Sequence, residues 1–140
     1  MTNASANRLA YAGVLVVVTP LGFMTKFYGG PGADWVSNYA GGFLYVLFWV
    51  FVCLVLVPRV SPRVTALWIL SITCALEVLQ LWHPPFLEAI RSTFAGRALI
   101  GTTFVWWDFI YYIVAAAVAP ALARLAVRVT RRLLGVMPQE

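Results

Sequence analysis

Charge is what this sequence has least of. Asp, Glu, Lys and Arg make up 11% of its 140 residues, where a soluble globular domain carries about 25%. Apolar side chains reach 62% and mean hydropathy is +0.86, so a fold solvated mainly by water is excluded. Histidine occurs once and cysteine twice. Cys53 and Cys74 both fall inside apolar runs, where a thiol acts as a small apolar filler. A disulfide framework and a Cys/His metal site are therefore not expected, and no cofactor is implied. Acids are the scarcest charged group, with five in the chain. Three of them, Glu77, Glu88 and Asp108, share the stretch Glu77 to Tyr112 with the sole histidine, His83.

What the chain does have is long apolar runs. A bilayer crossing takes roughly 20 such residues, and four windows qualify: 9–28, 39–57, 64–82 and 104–127. The expected fold is a single all-α, polytopic membrane domain of four transmembrane helices. Arg8 and the apolar run after it resemble a signal peptide, but no small-x-small site follows, so an uncleaved first span is expected. Pro20 should kink that span, and residues 1–7 should fray. FYGGPGADWVSN reads as a Gly/Pro-rich loop, with Asp34, Ser37 and Asn38 as candidate caps for the next helix. Gly41 and Gly42 would let neighbouring helices approach closely. Pro58 to Arg63 is a tight turn between antiparallel neighbours. Pro84 and Pro85 end the third span. Phe86, Leu87, Ile90 and Phe94 then recur at helical spacing, which predicts a short interfacial helix over 86–97.

The basic residues are placed as topology signals. With both termini cytoplasmic, seven arginines (Arg8, Arg59, Arg63, Arg124, Arg128, Arg131, Arg132) lie inside and three cations (Lys26, Arg91, Arg97) outside. That is a clear positive-inside bias. The basic C-terminal tail is expected to meet anionic membrane lipids, and no nucleic acid is expected as a partner. Every acid except Glu140 then lies at or near the outer face.

Ionisable groups inside a span are costly, about 2.5–3.5 kcal/mol on insertion scales, and usually face the bundle interior. Glu77, six residues from the expected end of its helix, and Asp108 are therefore the candidate acid and base, with Asp34 closing the site. Gln80 shares the Glu77 face, and Tyr112 lies one turn beyond Asp108. Arg91 and Arg97 suit phosphate because a guanidinium offers a planar fork of donors, with Lys26 assisting. Two plainer roles stand beside these. The carboxyls can instead pin the interfacial helix through Arg91 and Arg97, and His83, a ligand-contact candidate and conceivable general base, can simply mark the water boundary. Trp106 is a ligand-contact candidate, but with Trp35, Trp82 and Trp107 it is first an aromatic belt.

DWVSNYAGGFLYVLFW, EVLQLWHPPFLEAIRSTFAGRALIG and FVWWDFIYY resemble a family of small bacterial membrane proteins of unassigned function, itself similar to the VanZ-like, teicoplanin-resistance-associated proteins. The likeness runs from about Asp34 to Tyr112. It implies a polar set of Asp34, Glu77, Gln80, Arg91, Gly96, Arg97, Trp106 and Asp108, and a bacterial cytoplasmic membrane. VanZ-like proteins usually carry an Asn and a Gly after the final Asp. Tyr111, Tyr112 and an alanine run stand here instead.

The leading expectation is an outer-leaflet polar pocket that binds an anionic lipid headgroup or lipid-linked envelope precursor, with turnover open. A non-enzymatic envelope or antibiotic-resistance factor working with a membrane-protein partner is the first alternative. An isoprenoid-type cyclase with an Asp or Glu proton donor and aromatic faces for a carbocation is the second.

Overall fold

A computed structural model describes residues 3–135, and these are helical with no strand. Four helices are long and apolar enough to cross a membrane: α1 (Asn3–Met24), α2 (Ala33–Leu56), α3 (Pro62–Leu79) and α6 (Trp106–Leu133). Between α3 and α6 lie two short helices, α4 (Pro85–Arg91) and α5 (Phe94–Ile100). The surface is inverted relative to a water-soluble bundle. Val16, Phe23, Leu67, Trp68 and Ile113 all point outward, where hydrocarbon can solvate them. This is an integral membrane protein by the length and composition of its helices.

The chain runs up and down. Arg8 Nε donates to Val55 O at 2.9 Å, and Arg131 donates to Asn7 Oδ1 at 3.2 Å. The start of α1 and the ends of α2 and α6 therefore meet at one end of the bundle, called here the basic end. Lys26, Trp35, Gln80 and Tyr111 gather at the opposite, acidic end. α2 and α6 are central, each packing against the other and against α1 and α3. Val46, Leu47, Val50, Phe51 and Leu54 of α2 fill the core against Ala115, Ala116, Ala119 and Ala123 of α6. Large side chains on one helix thus meet small ones on the other. Such surfaces let membrane helices approach without a hydrophobic driving force between them.

The boundaries differ from expectation in four places. α1 begins at Asn3, so the polar residues that follow Thr2 are helical, and the helix continues past Pro20 to Met24. α2 begins at Ala33, so half of the expected Gly/Pro loop is helix. Gly32 is its N-cap, at φ 74°, and no side chain caps it. Asp34 lies in the first turn instead, where a negative charge complements the helix dipole. Residues Val36–Ala40 of α2 widen into a π-helical turn. α3 ends at Leu79, which moves Glu77 to about 3 Å from the helix end at 1.5 Å per residue.

The fourth difference is the segment 86–97, which forms two helices. Thr93 breaks it: its backbone is extended, and its hydroxyl accepts from Gly96 N at 2.9 Å as a new N-cap. Gly96 is required there because a Cβ would strike the Ile90 carbonyl. The turn at the basic end fits its sequence. Ser61 is extended and Pro62 occupies the first helical position, where the missing N–H costs nothing.

Candidate functional site

Glu77 is 1% exposed and points into the bundle. Its Oε1 accepts the backbone N–H of Val105 at 2.9 Å. Its Oε2 accepts from the Tyr112 hydroxyl at 3.0 Å and from Gln80 Nε2 at 3.1 Å. The carboxyl thus meets three donors and neither of the arginines expected as its partners. Gln80 is buried too, and its Nε2 also donates to Ile100 O at 3.0 Å. Both Nε2 partners are acceptors, which fixes the amide orientation. The Gln80 Oε1 atom is then buried without a partner.

These bonds hold the return segment between α5 and α6. It carries irregular backbone into the bundle, and such backbone needs partners there because hydrocarbon offers none. Gln80 takes Ile100 O, Glu77 takes Val105 N, and Tyr45 of α2 donates to Leu99 O at 3.0 Å. Gly101 makes the turn at φ 76°, and a Cβ there would come within 2.5 Å of Gln80 Nε2. The Tyr112 ring lies over Gly42, 3.0 Å from where its Cβ would be. Gly42 thus makes room for the ring that reaches Glu77.

Asp108 sits in the first turn of α6, half-buried, within electrostatic reach of Glu77 and Lys26. Among the described residues its carboxyl accepts no hydrogen bond. Lys26 is exposed and donates to Ser37 O in the π-helical turn at 2.9 Å. Tyr111, beside Tyr112, is clamped by α2: Trp35 Nε1 donates to its hydroxyl at 2.9 Å, and Tyr39 stacks on its ring at 4.9 Å. Glu77, Gln80, Tyr112, Asp108 and Lys26 therefore converge on one end of the bundle.

The other candidates are placed differently. Arg91 is 3% exposed, and its donors are largely committed. It donates to Leu79 O at 2.8 Å, Trp82 O at 2.9 Å and Glu88 Oε1 at 2.7 Å. It is a cap for the end of α3, where a cation also complements the helix dipole. Its Nε is buried without a partner. His83 Nδ1 lies 2.9 Å from Glu88 Oε1 on the exposed side of this cluster. Hydrogen bonds from His83 and then from Arg91 hold the Glu88 carboxyl below the ordinary glutamate range. Asp34, Arg97 and Trp106 are exposed, with no ion pair among the described residues, and Trp106 packs edge-on against Phe104 at 4.9 Å. Glu140 lies outside the described residues.

Sequence reasoning missed Tyr45, Gly101 and the Val105 N–H, and it gave Glu88 no partner. The i,i+3 spacing of Glu88 and Arg91 was a usable signal for their pair, and Gly101 directly after a helix was one for its turn. Nothing in the sequence marks Tyr45 or the Val105 N–H. No group of three or more His, Cys, Asp or Glu able to hold a metal occurs among the described residues.

Residues 32–116 match a protein family described as "Protein of unknown function (DUF2809)". That span contains every element of this site except Lys26. No solved structure matches the chain.

Proposed function

The chain belongs to the DUF2809 family of proteins of unknown function, and from that premise we propose that its acidic end binds an anionic lipid headgroup or lipid-linked cell-envelope precursor. The observation that carries this reading is a contrast between neighbouring polar groups. Glu77 accepts from three donors, while Asp108 and Gln80 Oε1 beside it have no hydrogen-bond partner among the described residues. Of the two, the half-buried Asp108 carboxyl suits the hydroxyl or amine donors of a headgroup. Lys26 and Arg97 are the exposed cations of this end and hold the phosphate. Arg91 acts as a positioning residue, because its donors already cap α3.

In this reading the Lys/Arg distribution argues for cytoplasmic termini, which would open the site to the outer leaflet with α4 and α5 in the interface. If the bound group is modified, Asp108 is the carboxyl free to exchange a proton, with Glu77 and Tyr112 forming the floor beneath it.

A photoreactive benzoylphenylalanine in place of Trp107, next to Asp108, tests this in native membranes. The expected adduct is a phosphorylated lipid or lipid-linked species, reduced about tenfold by Lys26→Gln/Arg97→Gln, as the loss of charge-assisted hydrogen bonds implies. Adducts that mirror the bulk lipid composition in both proteins contradict it.

A non-enzymatic envelope factor is the second reading. It is favoured by the exposed aromatic rim of Phe94 and Trp106, 75% and 76% exposed. It predicts that Phe94→Ala loses function while Asp108→Asn keeps it.

A further inference from the structure

The basic end holds a cleft that the acidic-end reading does not use. It has a volume of about 290 Å³ and lies between α1, the start of α3 and the last turns of α6. Asn7, Tyr11, Pro62, Arg124, Arg128 and Arg131 line it. The three arginines recur at i, i+4 and i+7, so they share one face of α6. All four acids among the described residues sit at the other end of the bundle, so none neutralises this face.

One buried atom here is unsatisfied. Arg131 gives one guanidinium nitrogen to Asn7 Oδ1 at 3.2 Å, and its Nε is buried with no partner. Tyr11 also lines the cleft, with its ring packed on Phe51. A buried donor without an acceptor is unfavourable, and an anionic oxygen in the cleft would serve it.

We propose that this cleft is a binding site for the phosphate of an anionic phospholipid in the leaflet that faces the chain termini. Arg124 and Arg128 meet the phosphate from the open side, and Arg131 and the Tyr11 hydroxyl meet it from within. The apolar surroundings select a lipid over a soluble anion. Pro62, Ala123 and Val127 line the cleft, and Leu125, Val129 and Leu133 form an exposed apolar stripe on α6 where acyl chains can lie. The volume is at the small end for ligand pockets, which suits a compact headgroup. This site is independent of the acidic-end reading.

The test is thermal unfolding of the full-length protein in detergent, titrated with dioctanoyl phosphatidylglycerol, dioctanoyl phosphatidylcholine or inorganic phosphate. Phosphatidylglycerol is expected to raise the unfolding temperature saturably, and the other two to act only at far higher concentration. Arg128→Gln, at an exposed position, should raise the half-saturating concentration about tenfold, and Tyr11→Phe about threefold while keeping the ring packing. An equal response to phosphatidylcholine overturns the proposal, as does inorganic phosphate acting at the same concentration. A midpoint that moves with Lys26→Gln/Arg97→Gln and not with Arg128→Gln also overturns it, and leaves the acidic-end reading intact.

Discussion

The two ends of the bundle solve the same problem with different means. At the basic end, five residues join α2 to α3, and a proline at the first helical position completes the turn. At the acidic end, twenty-six residues join α3 to α6, and part of that backbone dips into the bundle. There Glu77, Gln80, Tyr45 and Arg91 each give side-chain atoms to backbone groups. The short turn needs no ionisable residue in the core, and the long return segment does. An ionisable group inside a span is therefore not automatically a reagent. Glu77 is committed to structure, while Asp108, in the first turn of α6, accepts no hydrogen bond among the described residues.

The sharpest way to break this contrast is at the arginines. Arg91→Ala should destabilise by about 2–4 kcal/mol, because it leaves the carbonyls of Leu79 and Trp82 without their buried charged donor. Arg63→Ala, at an exposed site of the basic end, should stay within about 0.5 kcal/mol. Denaturant titration in micelles compares the two, and equal losses would erase the distinction. The glycines come next. Gly101→Ala combines a strained backbone with a Cβ against the Gln80 amide, and should cost about 2–3 kcal/mol. Gly135→Ala, at φ 63° with open space around it, should cost about 1 kcal/mol. Tyr112→Phe removes one hydrogen bond to Glu77 and should cost about 1 kcal/mol, read as a small drop in unfolding temperature.

The smallest effect is that of pH. Glu88 is held below its ordinary value of 4.5 by His83 and Arg91. Its contribution is present above that value and is lost as pH falls through the lowered one. Wild type should lose unfolding temperature on acidification relative to Glu88→Gln. Parallel curves would remove Glu88 from the cluster that caps α3.

Much of this was legible in the sequence. Hydropathy marks the four spans because each is a continuous apolar run, and the isolation of Glu77 within one predicts that it faces inward. The convergence of Glu77, Gln80, Asp108, Tyr112 and Lys26 follows from their shared end. The start of α2 was not legible, because Gly29, Gly30, Pro31 and Gly32 weigh a composition window toward loop while Ala33 onward is already helix. The break at Thr93 was hidden because the apolar spacing continues across it from Ile90 to Phe94. The role of Arg91 depends on carbonyls twelve and nine residues away, a tertiary fact that no local pattern encodes.

The division of labour between the two carboxyls is tested most directly by one paired measurement on Glu77→Gln and Asp108→Asn. Each is scored for unfolding temperature and for the lipid adduct formed at position 107. Glu77→Gln should unfold at lower temperature, and Asp108→Asn should keep the wild-type unfolding temperature while losing the phosphorylated adduct. Asp108→Asn retaining the full adduct, or Glu77→Gln keeping wild-type stability, would contradict it.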